Sequence, residues 1–147
     1  MKKINILISR NIISYYFFYP LIFNLKLIKD YRIEFFNKVD SRLANCEILL
    51  IDSRWFTPFW KTRSEEAFEI LKNIRNKSCR LFWMDVTDSS GTTQFQVLPF
   101  VDKYFKKQLL KVRSLYLKDH YGARIYTDFY KNSFNLQDEN VYSCDPI

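Results

Sequence analysis

The sequence predicts one three-layer α/β domain, Rossmann-like, built on a mainly parallel sheet of about five strands. Unbroken apolar runs alternate with helical patterns, as expected for strands covered on both faces. Two of these runs end in aspartate: 48–52 reads Ile-Leu-Leu-Ile-Asp, and 81–85 reads Leu-Phe-Trp-Met-Asp. The 147 residues, of which 48% are hydrophobic, suffice to bury one core and exclude a disordered chain. We therefore treat residues 1–147 as a single domain.

The elements are predicted in βαβ order. Strands are expected at 4–9, 31–39, 47–52, 80–85 and 101–106, and helices at about 12–29 and from Ser64 onwards. Residues 54–60 form an aromatic loop in this prediction, acting either as a core plug or as a wall for sugar stacking. Residues 87–94 form a loop and helix start, followed by a short helix to about Phe100. From about residue 107 the chain is basic, aromatic and predicted helical.

Cysteine and histidine usage excludes several kinds of site. Cys46, Cys79 and Cys144 are widely spaced and form no CxxC pair, and His120 is the sole histidine. We therefore predict reduced thiols, no disulfide framework, no metal and no cofactor. The apolar run at 12–25 is too short to span a bilayer, and no cleavage site follows it. These observations predict a cytoplasmic protein.

Ligands of parallel α/β sheets bind at the carboxyl ends of the strands. This rule places the residues that follow the first, third and fourth strands on one rim: Ser9, Arg10, Asp52, Arg54, Asp85, Thr87 and Asp88.

The loop at 87–94 is the strongest local signal. Its small hydroxyl side chains suit sugar or phosphate oxygens, and Gly91 permits close approach to the backbone. The alternative is a helix N-cap with no ligand, which the same residues favour. A P-loop is excluded because the GK[ST] ending is absent. The loop residues predicted to bind substrate are Thr87, Asp88, Ser89, Ser90, Gly91, Thr92, Thr93 and Gln94.

Asp52, Thr87 and Lys106 stand where phospho-receiver domains of response regulators place comparable residues. That chemistry needs an acidic pair after the first strand to hold Mg²⁺. Residues 9–11 read Ser-Arg-Asn instead, and the Lys-Pro step after the fifth strand is replaced by Lys106-Lys107. We therefore reject a functional receiver.

Basic charge concentrates between Lys103 and Lys131, a segment that contains eight basic and two acidic side chains. That segment accounts for +6 of the net charge of +7. Interleaved tyrosines favour a phosphate-bearing partner: a diphosphate-linked sugar, an anionic lipid headgroup or nucleic acid. A solvated face is the equal alternative. Nucleic acid is the weaker candidate because no RNP, KH or helix-turn-helix signature is present.

Residues 51–56, 85–95 and 101–110, followed by Arg113-Ser114-Leu115-Tyr116 and by 124–130, together resemble the N-terminal half of glycosyltransferases from bacterial capsule and O-antigen clusters. The resemblance covers about residues 34–130. It implies half of a GT-B architecture, the half that chiefly binds the acceptor. The chain stops at Ile147, where such proteins continue into a donor-binding half, so we expect this chain to be incomplete as an enzyme without a partner chain that supplies that half.

On this interpretation the partner is a sugar or lipid-diphosphate-linked acceptor, met in the cytoplasm or at the inner face of the membrane. Asp85 or Asp52 would orient the acceptor hydroxyl or act as a base. Besides the loop, the predicted substrate-binding residues are Arg54, Lys106, Lys107, Arg113, Tyr116 and Arg124. The alternatives are a non-catalytic binding or scaffold domain and a basic nucleic-acid-binding protein.

Overall fold

The protein is described here from a computed structural model, which covers residues 2–77, 79–87, 90–118, 120–121, 127–135 and 141–142. A five-stranded sheet forms its centre, and every strand pair in it is parallel. The strands are β1 (Lys2–Leu7), β2 (Tyr31–Phe36), β3 (Ile48–Asp52), β4 (Arg80–Asp85) and β5 (Lys103–Lys106), in the order β2-β1-β3-β4-β5. The predicted three-layer α/β fold is confirmed.

Helices cover the sheet on both faces because the central strands are apolar on both sides. The helix α1 (Ile12–Phe23) packs on one face through Phe18, in a cluster with Ile6 and Ile8. The helices α2 (Ser53–Trp60) and α3 (Ser64–Arg75) belong to the larger cluster on the other face. Leu49 and Ile51 of β3 lie at the centre of that cluster and are fully buried. The sheet is therefore doubly wound.

Two helical predictions are corrected. Helix α1 ends at Phe23 rather than near residue 29, because the Asn24 side chain and backbone N–H both donate to the Pro20 carbonyl, at 2.6 and 3.3 Å. A short 3₁₀ helix, Leu25–Leu27, follows. Residues 54–60 were expected to be a loop, but they belong to α2, which Asp52 caps and whose aromatic side chains pack against the core. The predicted core plug is thus correct in packing and wrong in secondary structure.

Within its described residues, the C-terminal part is less helical than predicted. It contains a 3₁₀ helix (Arg113–Leu117), the strand β6 (His120–Tyr121), the helix α4 (Thr127–Phe134) and the strand β7 (Val141–Tyr142). Strands β6 and β7 pair antiparallel in a sheet of their own. Within the described ranges, no helix has both the length and the apolar character needed to cross a bilayer.

Asp102 joins the start of β5 to α3 and β4. Its Oδ2 accepts hydrogen bonds from Arg75 Nη1 at 2.6 Å and from the Leu81 N–H at 2.8 Å. The hydrogen bond from Arg75 holds the pKa of Asp102 below its ordinary value of 3.8. Because the folded state lowers this pKa, the contact stabilises the fold above the unfolded-state pKa and is lost as the pH falls through the folded-state pKa.

We therefore expect Asp102→Asn to lower the urea midpoint by a constant amount between about pH 5 and pH 7. Below about pH 4 the difference from the wild type should shrink, since the unfolded wild type then takes up a proton at this carboxyl, and it should be smallest once the folded carboxyl is protonated as well. Urea titrations of both proteins across this range check the expectation. A difference that stays constant down to about pH 2 would show that the charge of Asp102 is irrelevant.

Candidate functional site at the carboxyl edge of the sheet

The strand ends that the sequence placed on one rim are neighbours. At the end of β1, the Ser9 N–H donates to Asp52 Oδ2 at 2.9 Å. At the end of β4, the Val86 N–H donates to the buried Ser53 Oγ at 3.1 Å. The parallel register brings the next pair together, because Asp85 of β4 stands opposite Lys106 of β5. Hydrogen bonds thus link the ends of β1, β3 and β4 along one edge of the sheet.

Strand order locates the topological switch point between β1 and β3. The chain proceeds from β1 outwards to β2 on one side and from β3 to β4 and β5 on the other. This is the order of flavodoxin-like doubly wound domains, in which ligands bind where the direction reverses. Arg10 is exposed at this point, and Arg54 is half-buried in the first turn of α2. One arginine therefore follows each of the two strands that flank the switch point.

Asp52 joins the end of β1 to the start of α2 through its carboxylate. Its side chain is fully buried, with Oδ2 on the Ser9 N–H and Oδ1 on the Arg54 N–H at 3.0 Å. The second contact is the N-cap of α2. Since both carboxylate oxygens already accept backbone hydrogen bonds, the geometry favours a structural role for Asp52.

Asp85 is the centre of a buried polar cluster, the Asp85 cluster, formed by Asp85, Thr87, Tyr104 and Lys106. The Lys106 ammonium, 1% exposed, lies 3.2 Å from Asp85 Oδ2 and 2.8 Å from Thr87 Oγ1. The Tyr104 hydroxyl donates to Asp85 Oδ2 and the Thr87 hydroxyl to Oδ1, both at 2.5 Å. Every ionised group in the cluster has an opposite charge and hydroxyl partners, as burial requires.

The loop that follows β4 is fixed by two tyrosines. The Tyr116 hydroxyl donates to the Ser90 carbonyl at 2.6 Å and accepts from the Leu110 N–H at 2.9 Å. The Tyr104 hydroxyl accepts from the Gln94 N–H at 3.0 Å. Tyr116 was a predicted substrate-binding residue, and the structure places it as a support of the loop.

The predicted short helix to about Phe100 is present, and it is a 3₁₀ helix. Residues 90–94 form neither helix nor strand, the Gln94 side chain makes no cap hydrogen bond, and the 3₁₀ helix (Phe95–Phe100) contains Pro99. A 3₁₀ helix of six residues aligns fewer peptide dipoles than a longer α-helix does. Its start therefore favours an anion less than the N-terminus of an α-helix would.

Gln94 is the unusual side chain of the loop. It is 8% exposed, and its Oε1 is buried without a hydrogen-bond partner among the described residues. Its backbone is tied to the Asp85 cluster through Tyr104. A buried acceptor without a partner costs about 1–3 kcal/mol, so it calls for an explanation.

The other predicted site residues are placed as follows. In the loop, Gly91 and Thr93 are buried, whereas Ser90 and Thr92 are half-buried. Lys107 and Arg113 are exposed, whereas Lys106 is withdrawn from the basic surface into the Asp85 cluster. Asp88, Ser89, Arg124 and Cys144, together with the side chain of His120, lie outside the described residues.

Sequence reasoning missed Tyr104 and Ser53. Tyr104 alternates with Lys106 along β5, so that the two side chains reach the same carboxylate. The two-residue period of a strand was the signal that could have found it. Ser53 follows a predicted catalytic aspartate directly, and only the pairing of β3 with β4 reveals its contact with Val86.

The described side chains at this edge do not form a metal-binding group. No group of three or more His, Cys, Asp and Glu side chains within the described ranges could hold a metal ion. Cys79 is buried and Cys46 half-buried, both with free thiols. They pack against the large core cluster, as predicted for small apolar residues.

Comparisons with known proteins leave the site to be interpreted from its own geometry. No family model, curated protein or solved structure matches the chain.

Proposed function

We propose that this protein is the acceptor-binding domain of a glycosyltransferase-like system for bacterial cell-surface polysaccharide, working in the cytoplasm at the inner face of the membrane. The observation that carries the proposal is the buried Oε1 of Gln94, which has no hydrogen-bond partner among the described residues and lies in the loop tied to the Asp85 cluster. A sugar hydroxyl is a donor that such an acceptor lacks. The proposed partner is a sugar or lipid-diphosphate-linked acceptor.

The neighbouring groups suit such a ligand. Ser90 and Thr92 are half-buried hydroxyl residues of the same loop, which provides further donors and acceptors for a polyol. Exposed basic residues follow β5 and begin the next 3₁₀ helix, namely Lys107, Lys111 and Arg113. These exposed basic side chains lie outside the buried Asp85 cluster, in which the charges are already paired. They could therefore bind a diphosphate that remains partly in water.

Asp85 takes a positioning role in this proposal. It accepts hydrogen bonds from the Thr87 N–H, the Thr87 hydroxyl, the Tyr104 hydroxyl and Lys106. These four hydrogen bonds, one of them from the buried ammonium, engage both carboxylate oxygens and fix the orientation of the side chain. The proposed activity of the chain is therefore binding, and a donor-binding half in a partner chain would supply the transfer step.

We expect Gln94→Met to weaken binding of a short-chain polyprenyl-diphosphate sugar by about 3- to 10-fold, the value of one hydrogen bond. The same variant should leave the free energy of unfolding unchanged or raise it by about 1 kcal/mol, because a buried acceptor without a partner is removed. Isothermal titration calorimetry and urea denaturation measure the two quantities.

Gln96→Met is the matched control, since Gln96 is exposed two residues away. It should change neither quantity. Loss of stability in Gln94→Met with unchanged binding would contradict the proposal, because Gln94 would then be structural. No binding of the lipid-diphosphate sugar by the wild type would leave the scaffold alternative.

Nucleic acid is a second candidate, favoured by the exposed basic side chains of Lys103, Lys107, Lys111, Arg113 and Lys118. Binding to generic DNA or RNA would weaken steeply with salt, since each phosphate contact releases a counterion. Fluorescence anisotropy with labelled DNA and RNA at low and physiological salt distinguishes this function from the first.

A further inference from the structure

Helix α1 presents apolar residues on two opposite faces. One face packs on the sheet through Phe18, with Phe17, Leu21 and Ile22 beside it. The other carries a continuous stripe with spacings of four, three, four and four residues, which runs on into the following 3₁₀ helix. We call it the α1 outer stripe: Ile12, Tyr16, Tyr19, Phe23 and Leu27.

The stripe is exposed to an extent that calls for an occupant. Its five side chains are between 57% and 75% exposed. A helix that is apolar all round is normally covered all round, and contiguous exposed apolar patches mark protein or membrane contact sites. Three of the five residues are aromatic, and tyrosine in particular combines an apolar ring with a hydroxyl that remains wet.

The basic residues around the stripe favour an anionic bilayer over a second copy of the chain as its binding partner. Residues 1–29 contain five basic and no acidic side chains, and Asp30 is the first acid. Arg10 lies before the helix, while Lys26 and Lys29 stand on either side of Leu27 at the end of the stripe, and all three are exposed. A second copy docked through the same stripe would confront cations with cations. A bilayer rich in anionic lipid attracts them.

Apolar surface continues on both sides of the helix. A groove of about 310 Å³ lies between α1 and the edge strand β2, lined by Tyr15, Ile22 and Phe35 among others. A second groove, of about 300 Å³, lies between Tyr16 and the carboxyl edge of the sheet, where Val86 and Lys107 line it. The surface is therefore broad enough to rest on a membrane, and its second groove adjoins the candidate site.

We propose that the α1 outer stripe docks this protein on the surface of an anionic bilayer. The helix lies along the headgroup region, with Tyr16, Tyr19 and Phe23 inserted at the interface and with Arg10, Lys26 and Lys29 on lipid phosphates. This inference rests on the membrane placement in the proposed function and deepens it, but its evidence comes from α1 alone and not from what binds at the loop after β4.

Vesicle co-sedimentation of the full chain tests the proposal. Vesicles of phosphatidylcholine with ~30% phosphatidylglycerol should bind the wild type at least about tenfold more strongly than phosphatidylcholine alone. The triple variant Tyr16→Gln, Phe23→Gln and Leu27→Gln should lose about tenfold or more of that binding. The control triple Leu109→Gln, Leu117→Gln and Phe134→Gln removes side chains of 53–66% exposure elsewhere and should bind as the wild type does.

Circular dichroism and the urea midpoint should show that the stripe variant remains folded, since its substitutions are on exposed positions. Equal binding by the stripe and control variants would overturn the proposal. So would failure of the wild type to bind anionic vesicles. If the wild type instead forms a dimer without lipid, fails to bind vesicles, and becomes monomeric in the stripe variant, the stripe binds a second copy of the chain. Calorimetry with a lipid-free sugar diphosphate measures binding at the loop after β4 whatever the vesicles show. Failure of the membrane-docking proposal can therefore be distinguished from failure of the acceptor-binding proposal.

Discussion

Asp85→Asn is expected to lower the free energy of unfolding by about 3–5 kcal/mol. The substitution preserves shape and removes one charge, so that the Lys106 ammonium, 1% exposed, loses its anion. A buried ion pair contributes little relative to an apolar pair, but breaking one partner leaves an uncompensated buried charge. Against a total stability of about 5–15 kcal/mol, this single change brings the fold close to its limit.

The double variant Asp85→Asn/Lys106→Met separates charge from shape. Its loss of stability should be smaller than the sum of the two single losses, because it leaves no unpaired charge. Glu66→Gln provides the surface comparison: its partner Arg63 lies at 3.4 Å and both side chains are about half exposed, so its loss should be about 0.5 kcal/mol or less. Urea denaturation of the four variants measures these quantities. Additive losses in the double variant would show that the two charges do not depend on each other.

The burial of Lys106 also explains where sequence reasoning stopped. Lysine in a segment of net charge +6 is expected on the surface, and local pattern gives no reason to remove it. Its partner is 21 residues earlier in the chain and is reached only because β4 and β5 pair in parallel with Asp85 opposite Lys106. The register of that pairing is a property of the sheet.

The sheet itself could be predicted because its signals are local. Continuous apolar runs such as 48–51 identify strands covered on both faces, and their alternation with helices implies parallel pairing. The rim of strand ends follows from that topology, and Ser9, Asp52 and Asp85 lie where the rule puts them. The resemblance to capsule and O-antigen glycosyltransferases stays a prediction.

Helix α2 shows the opposite case. Its sequence, Ser-Arg-Trp-Phe-Thr-Pro-Phe-Trp, contains a proline and β-favouring aromatics, so local preference indicates a loop. The helix forms because its aromatics bury together: Phe56 is fully buried, with its ring 5.3 Å from that of Trp83 and 5.9 Å from that of Trp60. Tertiary packing overrides propensity here.

Asp52→Ala is expected to lower the free energy of unfolding by about 2–4 kcal/mol, the second-largest effect. The variant removes the N-cap of α2, worth about 1 kcal/mol, and leaves the Ser9 N–H without its partner, at about 1–3 kcal/mol. Both losses fall on the junction of β1 and β3. Asp52→Asn should lose roughly half as much, because one side-chain oxygen remains to accept a hydrogen bond.

Asp40→Ala is the matched control, because Asp40 also accepts from a backbone N–H two residues ahead, that of Arg42, at 2.8 Å. That contact is solvent-exposed, so water replaces it and the loss should be clearly smaller. Urea midpoints rank the three variants. If Asp52→Ala unfolds no more easily than Asp40→Ala, the carboxylate does not join β1 to β3. The predicted role of Asp52 in orienting or activating an acceptor hydroxyl would then be favoured again. The expected order instead assigns the two strand-ending aspartates distinct structural tasks: Asp52 closes the switch point, and Asp85 holds the loop that carries Gln94.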